Sequence, residues 1–234
     1  EDITCPEPHV VVRTPDEVYY SSYLFTEGNF DDIEIEGPLD GFEDFFLARL
    51  NSDGEYQWVR EVPGDGKVNI GFRNYLAIDV AGNVYLAGNT SGDINWGNGV
   101  TTSTSGFLND AFVIKYNSDG IAQFAKTAGG SWDDRFDGVA VNNQGELYVT
   151  GVATGTIKLD NIQYDYDEFE DYPIISKINL EVLDRKNNTS IQATLYPNPT
   201  NGNVTITGID NIEEIEVYNP LGQRLKTIKN PVNN

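Results

Sequence analysis

Leu76-Ala77-Ile78-Asp79-Val80-Ala81-Gly82-Asn83-Val84-Tyr85-Leu86-Ala87-Gly88 holds two short apolar runs joined by residues that tolerate tight bends. Further along come Ala111-Phe112-Val113-Ile114-Lys115-Tyr116, the turn Asn117-Ser118-Asp119-Gly120, and Ala122-Gln123-Phe124-Ala125-Lys126. The apolar spacing is that of strands of about five residues, not of helices. Asp and Gly at the second turn accept the positive φ angles that a hairpin connection requires. Residues 76–126 therefore read as four antiparallel strands.

The same marks recur on both sides. Asn51-Ser52-Asp53-Gly54 returns as Asn117-Ser118-Asp119-Gly120, a step of 66, and Val18-Tyr19 returns as Val84-Tyr85 at that step. Asp44 and Phe46 return as Asp110 and Phe112, and Trp58 aligns with Phe124, which makes Trp58 a repeat-core position. The next step is shorter: 63 for Tyr85 to Tyr148 and Gly88 to Gly151, 62 for Lys115 to Lys177, and 61 for Asp110 to Asp171. Three units result, at about 10–63, 75–129 and 138–183.

Repeated four-stranded antiparallel units of about 60 residues are the pattern of propeller blades. At the strands just quoted the chain resembles the SBBP-type β-propeller repeat family, whose units carry an Asp-x-Phe-Val-x-Lys-Tyr strand, an Asn-x-x-Gly turn and a Gly-Asn-Val-Tyr-x-x-Gly strand. The likeness covers roughly residues 10–183. Unit one departs from it with Pro15-Asp16-Glu17 at the first turn and extra residues around Tyr20 to Gly28. In unit three the hairpin after Asn179 is lost, and Leu180-Glu181-Val182-Leu183-Asp184-Arg185 offers only a weak fourth strand.

Propellers close with about four to eight blades. Three units leave two ends, and unpaired edges invite association. The sequence is compatible with a piece of a longer protein, with a symmetric homo-oligomer such as two sets of three, and with an open stack.

Composition supports a globular chain: of 234 residues, 39% are apolar and 12% aromatic. The 15 Lys and Arg face 37 Asp and Glu, a formal net charge of −22. Phosphate backbones and anionic headgroups would be repelled at long range, so nucleic acid is not an expected partner. No run approaches the roughly 18 consecutive apolar residues of a membrane-spanning helix. The chain opens at Glu1 and has no Met, which reads as a processed protein or a fragment. Cys5 is the only cysteine, so an intrachain disulfide and a Cys-rich zinc site are excluded.

Charge also marks a boundary. Beyond residue 190 the acids are only Asp210, Glu213, Glu214 and Glu216, against Arg224, Lys226 and Lys229. The polar run Asp184-Arg185-Lys186-Asn187-Asn188-Thr189-Ser190 has nothing periodic to bury and reads as a linker, 184–190, between a repeat region at 1–183 and a second domain at 191–234. That domain carries Leu195-Tyr196-Pro197-Asn198-Pro199-Thr200, Gly202, the alternating Val204-Thr205-Ile206, and Ile215-Glu216-Val217-Tyr218-Asn219-Pro220-Leu221-Gly222-Gln223. Alternation predicts strands at 203–207, 214–218 and 224–228, in a small immunoglobulin-like β-sandwich.

In order and spacing these residues resemble the type A C-terminal sorting domain of the type IX secretion system. The matching motif positions are Tyr196, Pro197, Asn198, Pro199, Gly202, Val217, Tyr218, Asn219 and Gly222. The resemblance implies recognition by the outer-membrane translocon and its shuttle barrel, followed by release or attachment at the cell surface. The family continues with further strands and a lysine-containing end, so the sorting domain is expected to be incomplete at Asn234.

Chemistry-bearing groups are sparse. His9 is the only histidine, which excludes a multi-histidine metal site, and Val10-Val11-Val12 after it make it a strand residue. No catalytic residue is assigned. Asp31, Asp32, Glu34 and Glu36, and the crowd Asp165, Asp167, Glu168, Glu170 and Asp171, read as solvated, charge-repelled edges. Calcium is the ion that clustered carboxylates would suit, with Asp133, Asp134 and Asp137 as its candidate ligands. They lack the spacing of a dedicated calcium loop, and Arg135 sits among them. Trp96 and Trp132 are the candidates for an exposed ligand-binding surface.

The expected protein is all-β: a propeller-like array of about three four-stranded blades and an incomplete sandwich, secreted or held at the cell surface. It would act as a binding or adhesion module for a glycan or surface protein. The alternatives are a structural subunit assembling through open edges, and a carboxylate-dependent extracellular hydrolase.

Overall fold

The computed structural model describes residues 8–37, 44–62, 67–104, 108–179, 194–196, 205–207, 214–218 and 224–229. All regular structure among them is β-strand, so the chain is all-β. It divides into two compact units, Glu1–Leu180 and Glu181–Asn234.

Within the first, unit one contains β1 (His9–Thr14), β2 (Glu17–Leu24), β3 (Gly28–Phe30), β4 (Ile33–Ile35), β5 (Asp44–Leu50) and β6 (Tyr56–Glu61). Strands β1-β2-β5-β6 form one antiparallel sheet in that order. Unit two runs β7 (Lys67–Ile70), β8 (Leu76–Ile78), β9 (Val84–Ser91), β10 (Asp93–Gly97), β11 (Val100–Ser103), β12 (Asp110–Tyr116) and β13 (Ala122–Ala128). Its sheet order is β13-β12-β9-β7, with β8 also on β9. Unit three has β14 (Arg135–Val141), β15 (Leu147–Thr154), β16 (Thr156–Leu159), β17 (Ile162–Asp165) and β18 (Asp171–Ile178), with a β14-β15-β18 sheet.

The repeat is thus an antiparallel meander, with four strands in sequence across the sheet in units one and two and three described strands in unit three, plus a separate hairpin inserted each time after the second strand: β3-β4, β10-β11 and β16-β17. The sequence pattern gives the meander but not these hairpins, whose strands are only three to five residues long. The extra residues of unit one, around Tyr20 to Gly28, run into such a hairpin, and Asp31 takes a positive φ at its tip. The weak fourth strand expected in unit three falls at 180–185, outside the described residues.

Local chemistry sets the turns. Asn117 Oδ1 accepts from the amides of Asp119 and Ile121, and Gly120 closes the turn at φ 71°. Asn51 and Asn142 make the same two bonds ahead of Gly54 and Gly145. A side chain that satisfies two amides at once fixes the hairpin independently of what packs on it. Gly88 and Gly151 are dictated by close approach: a Cβ there would lie 1.9 Å from the carbonyl oxygens of Asn69 and Arg135 respectively.

Units one and two bury one continuous core, in which Tyr19, Leu47 and Trp58 meet Leu76, Leu86 and Phe112. Units two and three share a second, made by Tyr85, Val113 and Ala87 against Phe136, Leu147 and Val149. A third core, Leu24, Phe30, Ile35 and Phe46, lies within unit one beneath its own hairpin. Polar groups lock the first interface. The Arg49 guanidinium and the Trp58 indole both donate to the Ser118 carbonyl, while Arg60 donates to the carbonyls of Gly120 and Asp119. The Tyr19 hydroxyl reaches the Gly82 carbonyl, and the Tyr75 hydroxyl reaches back to Ser21.

In the second compact unit, β19 (Thr194–Tyr196) pairs with β20 (Thr205–Thr207), and β21 (Glu214–Tyr218) pairs with β22 (Arg224–Lys229), both antiparallel. The three strands expected from alternation are present. Tyr196 ends β19 and pairs with Thr205.

Gly54 and Gly120 separate turn strain from packing. Both have positive φ, but a Cβ meets nothing at Gly54 and comes within 2.8 Å of the Trp58 ring at Gly120. Gly54→Ala should cost about 1 kcal/mol, and Gly120→Ala about 2–3 kcal/mol, because only the second must also displace an indole. Thermal unfolding of the two variants side by side checks this; equal losses would refute the clash.

Candidate functional site

Exposed aromatic side chains gather in unit three. The hairpin β16-β17 and the strand β18 flank a groove of about 360 Å³ whose walls include Ile157, Ile162, Tyr164, Tyr166, Pro173 and Ile174. Tyr164 and Tyr166 stand two residues apart at the end of β17, and their rings stack at 6.3 Å between centroids. Tyr166 also stacks on Tyr172 at 4.6 Å and 16° between planes. Tyr166 is therefore the middle of three stacked phenol rings, of which Tyr164 and Tyr166 line the groove. Trp132 packs over Gly155, where the hairpin begins, and meets the exposed Phe169 edge to face at 5.9 Å.

Carboxylates surround these rings. Asp165 Oδ1 accepts from Thr156 and Gln163, and those bonds hold its carboxyl below the ordinary carboxylate range. The Tyr172 hydroxyl donates to Glu170, Asp167 accepts from the Phe169 amide, and Asp171 accepts from Thr154. Burial chiefly, with Glu170 beside it, raises the Tyr172 phenol, which stays protonated near neutral pH. The acidic crowd, read from sequence as a solvated edge, is exposed throughout and stands beside these rings. The signal of the rings was the alternation Tyr164-Asp165-Tyr166, two rings on one side of a strand with a charge between them.

The two tryptophans part company. Trp132 is half-exposed and belongs to the ring assembly just described. Trp96 is buried: its indole donates to Thr102 Oγ1 and its ring stacks on Phe112. The expectation of an exposed Trp96 is corrected, because β10 turns that side chain into the core between units one and two.

Asp133, Asp134 and Asp137 are spent on separate tasks. Asp133 Oδ1 accepts from the backbone and side-chain amides of Asn109, and Asp137 takes the Arg135 guanidinium at 3.0 Å. Asp134 is buried, with Oδ1 accepting from the Thr154 amide and Oδ2 without a hydrogen-bond partner. Among the described residues no three His, Cys, Asp or Glu side chains come together as a metal site would require. His9 is half-buried in β1 with its ring 5.3 Å from Tyr75, and burial lowers its pKa.

Residues 194–234 match the family of secretion system C-terminal sorting domains. That match supports the resemblance to a type IX sorting tail. No curated protein matches the chain. Among the motif positions, Tyr196, Val217 and Tyr218 lie on strands, while Pro197, Asn198, Pro199, Gly202, Asn219 and Gly222 fall outside the described residues. The tail addresses its cargo to the secretion machinery and so to the cell surface or the exterior, through the outer membrane. Among the described residues no helix is long and apolar enough to cross a membrane.

Burial, with Asp110 nearby, pushes the Asp134 carboxyl up to about 7. A carboxyl whose folded pKa lies above its unfolded value keeps its proton in the native state alone, so it costs stability increasingly as pH rises from about 4 to about 7. Asp134→Asn removes that loss. The variant should exceed the parent by roughly 1–3 kcal/mol at pH 8, with the gap closing toward pH 4. Urea unfolding across that range measures it, and a gap that widens in acid would contradict the assignment.

Proposed function

We propose that the chain is an exported binding module: a propeller-like array of SBBP-type blades that presents the unit-three groove outside the cell and holds a glycan on its tyrosines. The observation that carries this reading is the stacked trio Tyr164, Tyr166 and Tyr172 beside charged carboxylates. Aromatic faces accept the CH-rich face of a pyranose, and carboxylates accept its hydroxyl protons. The chain's net charge of −22 disfavours anionic polysaccharides, so neutral or amino sugars fit better. Placement outside the cell rests on the sorting tail, which would engage the translocon and its shuttle barrel.

The blade reading is supported by the recurrence of the same three-strand order, β1-β2-β5, β7-β9-β12 and β14-β15-β18, with a hairpin at the same point in each. A surface protein offering an aromatic or basic loop is the other ligand this groove would suit. Glycan-array binding by the whole chain should show retention of neutral or amino sugars. Tyr164→Ala, which removes the exposed end ring of the stack, should weaken it at least about tenfold, a loss of about 1.4 kcal/mol. Array signal that survives removal of both Tyr164 and Tyr172, the end rings of the stack, would place recognition elsewhere.

The address has its own test. In the producing cell, deletion of residues 194–234 should leave the array behind the outer membrane, read by fractionation and immunoblot. Undiminished surface exposure of the deleted form would show a different export route.

A further inference from the structure

The outer faces of units one and three are built like the interfaces inside the array. Strand register makes the comparison residue by residue. Leu47, Val113 and Ile175 are equivalent, since they pair with Ser21, Ala87 and Thr150 at the same offset in their sheets. Leu47 and Val113 are 0% exposed, each sealed by the following unit, whereas Ile175 is 75% exposed. Tyr19, Tyr85 and Tyr148 repeat the pattern, with the first two buried and Tyr148 half-exposed. Each tyrosine pairs across the sheet with a cation, Arg49, Lys115 and Lys177 in turn. A hollow of about 290 Å³ lies on this face against Tyr148, Thr150 and Ile175.

At the other end, Val10, Leu76 and Val139 are equivalent by their partners Tyr20, Leu86 and Val149. Leu76 and Val139 are 2% and 6% exposed beneath the preceding unit, while Val10 is 56% exposed, with Val12 beside it at 58%. Units one and three therefore present two unlike apolar faces, one of each kind that meet at the internal interfaces.

We propose that a second copy of this chain docks head to tail, setting the Val10 and Val12 face of its first unit on the Tyr148 and Ile175 face of the third. The occupant follows from the internal interfaces, where the face carrying the tyrosine is covered each time by the face carrying Val10's equivalent. After unit three the chain passes into the separate compact unit Glu181–Asn234. The contact is heterologous, and a heterologous contact either closes into a ring or runs on as a filament. The proposal goes beyond the glycan reading and does not use the groove.

Sedimentation velocity of the full chain over a hundredfold concentration range tests it. The expected result is a mass rising from one chain to two or more. Ile175→Asp and Val10→Asp should each weaken the association at least about tenfold. Mixed together, the two variants should re-form a dimer, because each retains the face the other lacks. Ile175 also borders the groove, so Val10→Asp, at the far end, separates association from ligand binding. Both positions are exposed, and unchanged circular dichroism confirms that each variant folds. A parent chain that stays monomeric, as it would if the Glu181–Asn234 unit covered the face, overturns the proposal. So does a mixture that fails to associate, or an association indifferent to both substitutions.

Discussion

Every meander in this chain carries apolar side chains on both faces, and a sheet of that kind is stable only when something covers each side. Unit two shows the constraint satisfied. Leu86 and Phe112 look toward unit one, Tyr85, Ala87 and Val113 look toward unit three, and all five are buried. Removing such side chains from water stabilises by about 1.5–3 kcal/mol each, and a lone meander would forfeit half of them. Stacking is thus a condition of folding, and everything else in the array serves to keep neighbouring sheets at the right distance and angle.

The hairpin turns serve that end twice. Asn117 and Gly120 shape a turn by local bonds alone, and its carbonyls then become the acceptors for Arg49, Trp58 and Arg60 of the preceding unit. Lys126 and Asp160 pair across the following interface. Turn carbonyls held rigid by their own side-chain bonds make good acceptors, because little further ordering is needed when the neighbour arrives. Apolar burial supplies the affinity between units, and these charge-assisted bonds fix the register.

The meanders were legible in the sequence because their strands are long enough to show alternation and their turns use Asn, Asp and Gly at fixed places. Tyr19, Tyr85 and Tyr148, spaced by 66 and 63, mark equivalent positions on three sheets. The inserted hairpins were not legible: three to five residues give no period, and Asp93-Ile94-Asn95-Trp96-Gly97 looks like loop until Ile94 and Trp96 are seen buried. The same blindness misplaced Trp96 and hid the Tyr164, Tyr166 and Tyr172 stack, since Tyr172 comes from another strand. The sorting tail was readable because its motif is a contiguous string of residue types.

The inserted hairpins leave and rejoin the sheet without disturbing it: Leu24 still faces Asp44, Thr90 faces Asp110, and Ala153 faces Tyr172. Their length and composition are therefore free of the geometric demands that stacking places on the meander. One hairpin sends an indole inward and another raises tyrosines outward, on frames that are otherwise alike. Such a scaffold can change what it grips by rewriting a dozen residues per module, with the load-carrying sheets left as they were.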